Sequence, residues 1–157
     1  MGRTGERSNT VGTSEISDFL EQYHSALEEI INGRPALYQS LYARRDDVTL
    51  ANPFAPFGPV SRGYAQVSET IARAAQNYIE GRVLGFENIA TCLTAELGYI
   101  VEVERFEATV RGKEERSPLA LRVTTIVRRE DTDWKIAHRH ADAITSPRPA
   151  TSLLPHR

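Results

Sequence analysis

The nine residues Trp134-Lys135-Ile136-Ala137-His138-Arg139-His140-Ala141-Asp142 carry the densest set of groups in the chain that could do chemistry. Read as a β-strand, their side chains alternate between two faces, so Trp134, Ile136, His138 and His140 point one way and Lys135, Ala137 and Arg139 the other. An apolar face normally excludes titratable groups, so two imidazoles beside a Trp and an Ile point to a cavity on that face. There His138 and His140 have three readings. They titrate near neutrality and can carry protons; with a third ligand from Glu102 or Glu104 they can hold a metal; or one of them is a hydrogen-bonded structural group. No metal or other cofactor is expected.

A second set of candidates lies on the preceding strands. Glu102 and Glu104 share a face with Ile100 and Phe106, while Tyr99, Val101 and Val103 take the other. If the glutamates face a cavity, desolvation favours acid/base work there; otherwise theirs is a solvated face. Arg122 and Thr124 share a face on the next strand, where Arg122 can neutralise a carboxylate, clamp an anionic ligand or simply sit at the surface. Tyr23 falls on the inner side of the first helix by spacing. Phe54, Phe57, Phe106 and Trp134 supply apolar wall, and such a wall with a few convergent polar groups describes a ligand site. His24 falls on the polar side of the same helix and is expected in solvent.

The elements that must position these groups follow from periodicity. Thr13 or Ser14 can cap a helix with Ile16, Leu20, Tyr23, Leu27 and Ile30/Ile31 at helical spacing, stopped by Asn32-Gly33. Pro35 opens a second short helix ending near Ala43. A strand from Val48 to Asn52 breaks at Pro53, and the Pro53 to Gly63 loop is too rich in Pro and Gly for regular structure. A third helix carries Val67, Ile71, Ala74/Ala75 and Tyr78. Four strands follow, Arg82 to Leu93, Ala95 to Arg111, Leu119 to Arg129 and Trp134 to Asp142, joined by turn residues that suggest an antiparallel meander. Helices gathered before a curved, mainly antiparallel sheet make an α+β domain from about 13 to 145, with loose polar tails at 1–12 and 146–157.

Composition narrows the function classes. The chain has 157 residues, 25% of them charged and 40% apolar, which fits one domain with a single core. A net charge of -2 leaves no basic footprint for nucleic acid. Residues 1–12 lack the apolar core of a secretory signal, and no run is long enough to span a membrane. The lone Cys92 excludes an intrachain disulfide and reads as inert packing. A cytoplasmic protein with no nucleic-acid or membrane partner is expected. Val101, Val103, Val123 and Val127 make a second partly apolar sheet face, which predicts a homodimer.

Asp46-Asp47-Val48-Thr49-Leu50-Ala51-Asn52-Pro53-Phe54 followed by Gly63, then Leu121-Arg122-Val123-Thr124, Arg128-Arg129 and Trp134 to His140, resemble the nuclear-transport-factor-2-like superfamily. The resemblance is closest to its SnoaL-like branch, whose relatives include polyketide cyclases, ketosteroid isomerase and limonene epoxide hydrolase. It covers about Ile16 to Asp142 and implies a cone-shaped, cystatin-like roll, three helices closing a conical cavity over the sheet, often as a dimer. It implies binding of an apolar small molecule, with cofactor-free cyclisation, isomerisation or hydrolysis as one outcome and a non-catalytic binding or association domain as the other. The fold alone does not choose.

Individual positions carry the resemblance further. Where the isomerases have an Asp-Pro base, this chain has Asn52-Pro53, and an amide accepts no proton at neutral pH. Steroid isomerisation is therefore not expected; Asn52 either holds a water, as in the hydrolases, or caps its turn. Glu104 matches an acidic partner of the hydrolases, while Glu102 stands where they carry arginine. Tyr23 matches the isomerases' oxyanion-stabilising tyrosine but serves equally as core. An enzyme would draw its acid/base groups from Glu104, Glu102, His138 and His140.

Overall fold

The computed structural model describes residues 11–143, 147 and 149–155. Most of the expected N-terminal tail lies outside these, but Val11 and Gly12 are already helical. Helix α1 (Val11–Ile30) buries Ile16, Phe19, Tyr23, Ala26, Leu27 and Ile30, a stripe at helical spacing that faces the sheet. The helix stops where the sequence predicts: Gly33 adopts φ 78°, and its N–H reaches back to the Ile30 carbonyl. Helix α2 (Ala36–Ser40) follows Pro35 and is shorter than expected, because Tyr42 leaves it to bridge Ile136.

Strand β1 (Thr49–Ala51) leads into the proline loop, which contains a two-residue strand, β2 (Ser61–Arg62), that composition had excluded. Helix α3 (Tyr64–Ala75) ends before Tyr78, which opens β3 (Tyr78–Leu93) instead of closing the helix. Strands β4 (Leu97–Val110), β5 (Arg116–Glu130) and β6 (Asp133–Ala143) complete the meander. The sheet order is β2-β1-β6-β5-β4-β3, antiparallel except where β1 runs parallel to β6. In the C-terminal segment, Ala150–Leu153 form a short 3-10 turn. The chain is thus an α+β roll, its three α-helices lying over one face of a curved sheet.

Four irregularities shape the sheet. Three register shifts in β3 against β4 bend the edge strand, as bulges do. A fourth lies between β5 and β6: Ile126 pairs His138 but Val127 pairs Ile136, leaving Ala137 unpaired. Beyond that bulge the alternation of β6 changes parity. Trp134, Ile136, Arg139 and Ala141 are buried toward the helices, while His138 and His140 turn outward. On β5 the buried residues are Val123, Thr125 and Val127, so Val123 and Val127 belong to the core and not to the outer face. Cys92 is exposed on β3, against its expected role as packing.

Candidate functional site

The helix-covered face of the sheet holds a buried polar cluster. Glu104 on β4 is 0% exposed and Arg139 on β6 is 6% exposed. An Arg139 Nη donates to Glu104 Oε2 at 2.7 Å, and Arg139 Nε donates to the Tyr23 hydroxyl at 3.0 Å. The Tyr23 hydroxyl in turn donates to Glu104 Oε1 at 2.9 Å. Its one proton is thereby committed, so the Thr125 hydroxyl, 3.0 Å away, donates to it. Both Glu104 oxygens are engaged. Burial pushes the Tyr23 phenol well above its usual range. Burial also opposes the charge on Arg139, but Glu104 and the nearby Tyr23, Tyr38 and Tyr42 together more than offset this and hold the guanidinium protonated.

Above this cluster lies a cavity of about 210 Å³ between the helices and the sheet. Leu27, Ile31, Leu50, Ile71, Ala74 and Phe106 make its apolar body, and Arg139 forms part of its wall. Asn52, Pro53 and Phe54, facing Leu119, Leu121 and Ala143, are its less buried rim. Phe54 packs edge-on against Tyr78, and Tyr78 edge-on against Phe106, so one aromatic row runs from rim to floor.

The structure brings together only some of the residues read from sequence. Asn52, Phe54 and Phe106 line the cavity. Asn52 is also a turn cap, because its Oδ1 accepts the Phe54 N–H at 3.0 Å. Tyr23 and Glu104 sit behind Arg139, on the inner face but outside the cavity lining. Trp134 is buried elsewhere, under the Arg129 guanidinium. Four expectations are corrected outright. Arg122 and Thr124 lie on the outer face, where Arg122 forks onto Asp142 at 2.6 and 3.1 Å. His138 and His140 are outward because of the Ala137 bulge. Among the described residues no three His, Cys, Asp or Glu side chains cluster as a metal ion requires.

Glu102 shares the inner face with Glu104, but its partner is His24, whose Nε2 lies 3.2 Å from both carboxylate oxygens. His24 also stacks on Phe86 with ring centres 3.6 Å apart, so it is not the solvated residue expected from its helix position. Sequence reasoning missed Arg139 altogether. The available signal was a change of parity in the apolar residues of β6, from Trp134 and Ile136 to Ala141 and Ala143.

His138 offers a pH prediction. Burial, then the neighbouring His140, lower its pKa below 6.5, and its Nδ1 shares a 2.7 Å hydrogen bond with the Thr49 hydroxyl. The unfolded chain then takes up this proton first as pH falls through about 6.5, so stability drops there and levels off once the folded protein also protonates. Urea titrations from pH 8 to 5 should show wild type losing stability relative to His138→Gln as pH falls; a parallel pair of curves would count against it.

A family model described as a SnoaL-like domain matches residues 16–145. The chain belongs to the SnoaL-like family. Its fold is that of the nuclear-transport-factor-2-like superfamily, seen in solved structures of low sequence identity. An NTF2-like superfamily protein from Salmonella enterica subsp. enterica serovar Typhimurium str. LT2 superposes with TM-score 0.69 at 14% identity, over 88% of this chain and 97% of that one. A ketosteroid isomerase-like protein from Erwinia carotovora atroseptica SCRI1043 gives 0.67 at 15%, over 85% and 96%. A CaMKII hub from S. rosetta gives 0.58 at 14%, over 80% and 94%. No curated protein matches the chain. For the SnoaL-like domain these likenesses establish fold and nothing finer. No helix among the described residues is long and apolar enough to cross a membrane.

Proposed function

We propose that this SnoaL-like domain binds a small, mostly apolar molecule in the cavity between its helices and sheet. The observation that carries the reading is a 210 Å³ apolar enclosure with a single charged side chain, Arg139, in its described lining. An enclosure of about 150 Å³ already holds benzene, so this one suits a single ring with a short substituent. The lining supports holding over proton-transfer chemistry: no histidine or carboxylate is among the described lining residues, and Glu104 is committed to Arg139 and Tyr23.

The test is calorimetric titration with ethylbenzene, where binding should show a negative heat-capacity change from buried apolar surface. Ala74, on the last turn of α3, lines the cavity and is 7% exposed. Ala74→Leu should fill the space, leave the melting temperature equal or higher, and abolish binding. Binding that survives Ala74→Leu would place the ligand elsewhere.

The same reading includes a homodimer through the outer face. Val101, Val103 and Ile126 form its partly covered centre, and the Arg122–Asp142 pair supplies both signs of charge at one edge, so two copies related by a two-fold axis can exchange partners. Sedimentation at micromolar concentration should give a dimer, dissociated by Val101→Asp/Val103→Asp; a wild-type monomer would sink this part.

A further inference from the structure

We infer that the ligand is uncharged and presents a carbonyl-type oxygen to Arg139, an inference that rests on the cavity reading above. Two facts carry it. The first is hydrogen-bond supply. A guanidinium has five N–H donors, and Arg139 uses one on Tyr23 and one on Glu104. The Nη that bears neither contact is not sealed away as an unsatisfied buried atom, as the hydroxyls of Tyr38 and Tyr42 are, and Arg139 is part of the cavity wall. Arg139 can only donate, and the Tyr78 hydroxyl, in the same lining and within its electrostatic reach, can donate as well as accept, so a ligand oxygen set against Arg139 is one that accepts.

The second fact is charge. Arg139 is already neutralised by Glu104, 2.7 Å away and fully buried. Glu102, 2% exposed on the same strand face, adds a further carboxylate whose partner is the histidine His24. A carboxylate ligand entering this end would bring a second or third negative group toward one cation in a low-dielectric enclosure, and such like-charge crowding is unfavourable. A neutral carbonyl meets the free donors without that penalty. The single charged residue of an apolar pocket, which in isolation reads as an anion clamp, is here a polariser of an uncharged group.

Three one-ring probes of similar size separate the possibilities at pH 7.5: acetophenone, benzoate and ethylbenzene. Acetophenone should bind about 10- to 100-fold more tightly than ethylbenzene, the range expected of a hydrogen bond to a charged donor, and benzoate no better than ethylbenzene. Glu104→Gln keeps the shape but removes the neutralising charge, so it should raise benzoate affinity at least about 10-fold and leave acetophenone within a few-fold. Benzoate binding tightest to wild type would overturn the inference, as would equal affinity for acetophenone and ethylbenzene. A folded Glu104→Gln that still rejects benzoate would overturn the charge argument; if that variant does not fold, the wild-type ranking alone decides. Failure of all three probes would overturn the cavity reading itself, whereas ethylbenzene binding with the wrong ranking overturns only this inference.

Discussion

Arg139→Met should destabilise the protein by about 3–5 kcal/mol, and adding Glu104→Leu should restore most of the loss. Each side chain of the pair is almost wholly buried, 8% exposed for Arg139 and 1% for Glu104. Removing the cation alone strands a carboxylate whose other partner is the Tyr23 hydroxyl, and an uncompensated buried charge is what makes such single changes severe. Removing both charges trades the pair for apolar volume on a face that already holds Phe106 and Ile136, an exchange that is often neutral or favourable. Urea unfolding should show the single variant's midpoint well below wild type and the double variant's near it, at unchanged slope. A double variant as unstable as the single would mean that packing, not charge pairing, fixes Arg139. The double variant also separates roles: it should keep the fold and ethylbenzene binding but lose the preference for acetophenone.

The α+β architecture was legible because periodicity is local: α1 shows an i, i+3/i+4 stripe, and β4 alternates from Gly98 to Ala108, so Glu104 could be grouped with Ile100 and Phe106, while which of the two faces turns inward is decided by packing. What periodicity does not carry is a change of phase. The Ala137 bulge inserts one residue into β6, and every side chain beyond it moves to the opposite face. A strict two-residue reading therefore placed His138 and His140 in the cavity and Arg139 outside, the reverse of what forms. The partners of Glu102 and Glu104 were illegible for a different reason. His24 and Tyr23 lie about 80 residues away on α1, at separations of 78 and 81, and which helix position meets which strand position is fixed by packing, not by sequence spacing. Of the two readings of Asn52 the turn cap is the one that forms, and the same residue borders the cavity.

Gly81→Ala should cost at least about 1–3 kcal/mol and abolish ligand binding, while Gly85→Ala four residues along the same strand should be neutral or raise stability by up to about 1 kcal/mol. A Cβ at Gly81 would stand 2.4 Å from Ile31 Cγ1 and 2.5 Å from the Ile31 carbonyl oxygen. A side chain can give way in a looser site, but Ile31 is 0% exposed, and a backbone oxygen cannot rotate away. The contact is also pinned: the Asn32 amide donates to the Gly81 carbonyl at 2.9 Å and accepts the Gly81 N–H at 3.0 Å. Any side chain at 81 must therefore push the end of α1 off β3. Ile31 lines the cavity, so the displacement reshapes the ligand site as well as the clamp. At Gly85 an added Cβ meets nothing within 4 Å, and no left-handed backbone demands glycine there. Parallel melts and ethylbenzene titrations of the two variants check the pair of outcomes. Equal behaviour would mean that the close approach of α1 to β3 is not what closes the cavity; a stable Gly81→Ala without binding would show that the cavity needs this approach even where the fold does not.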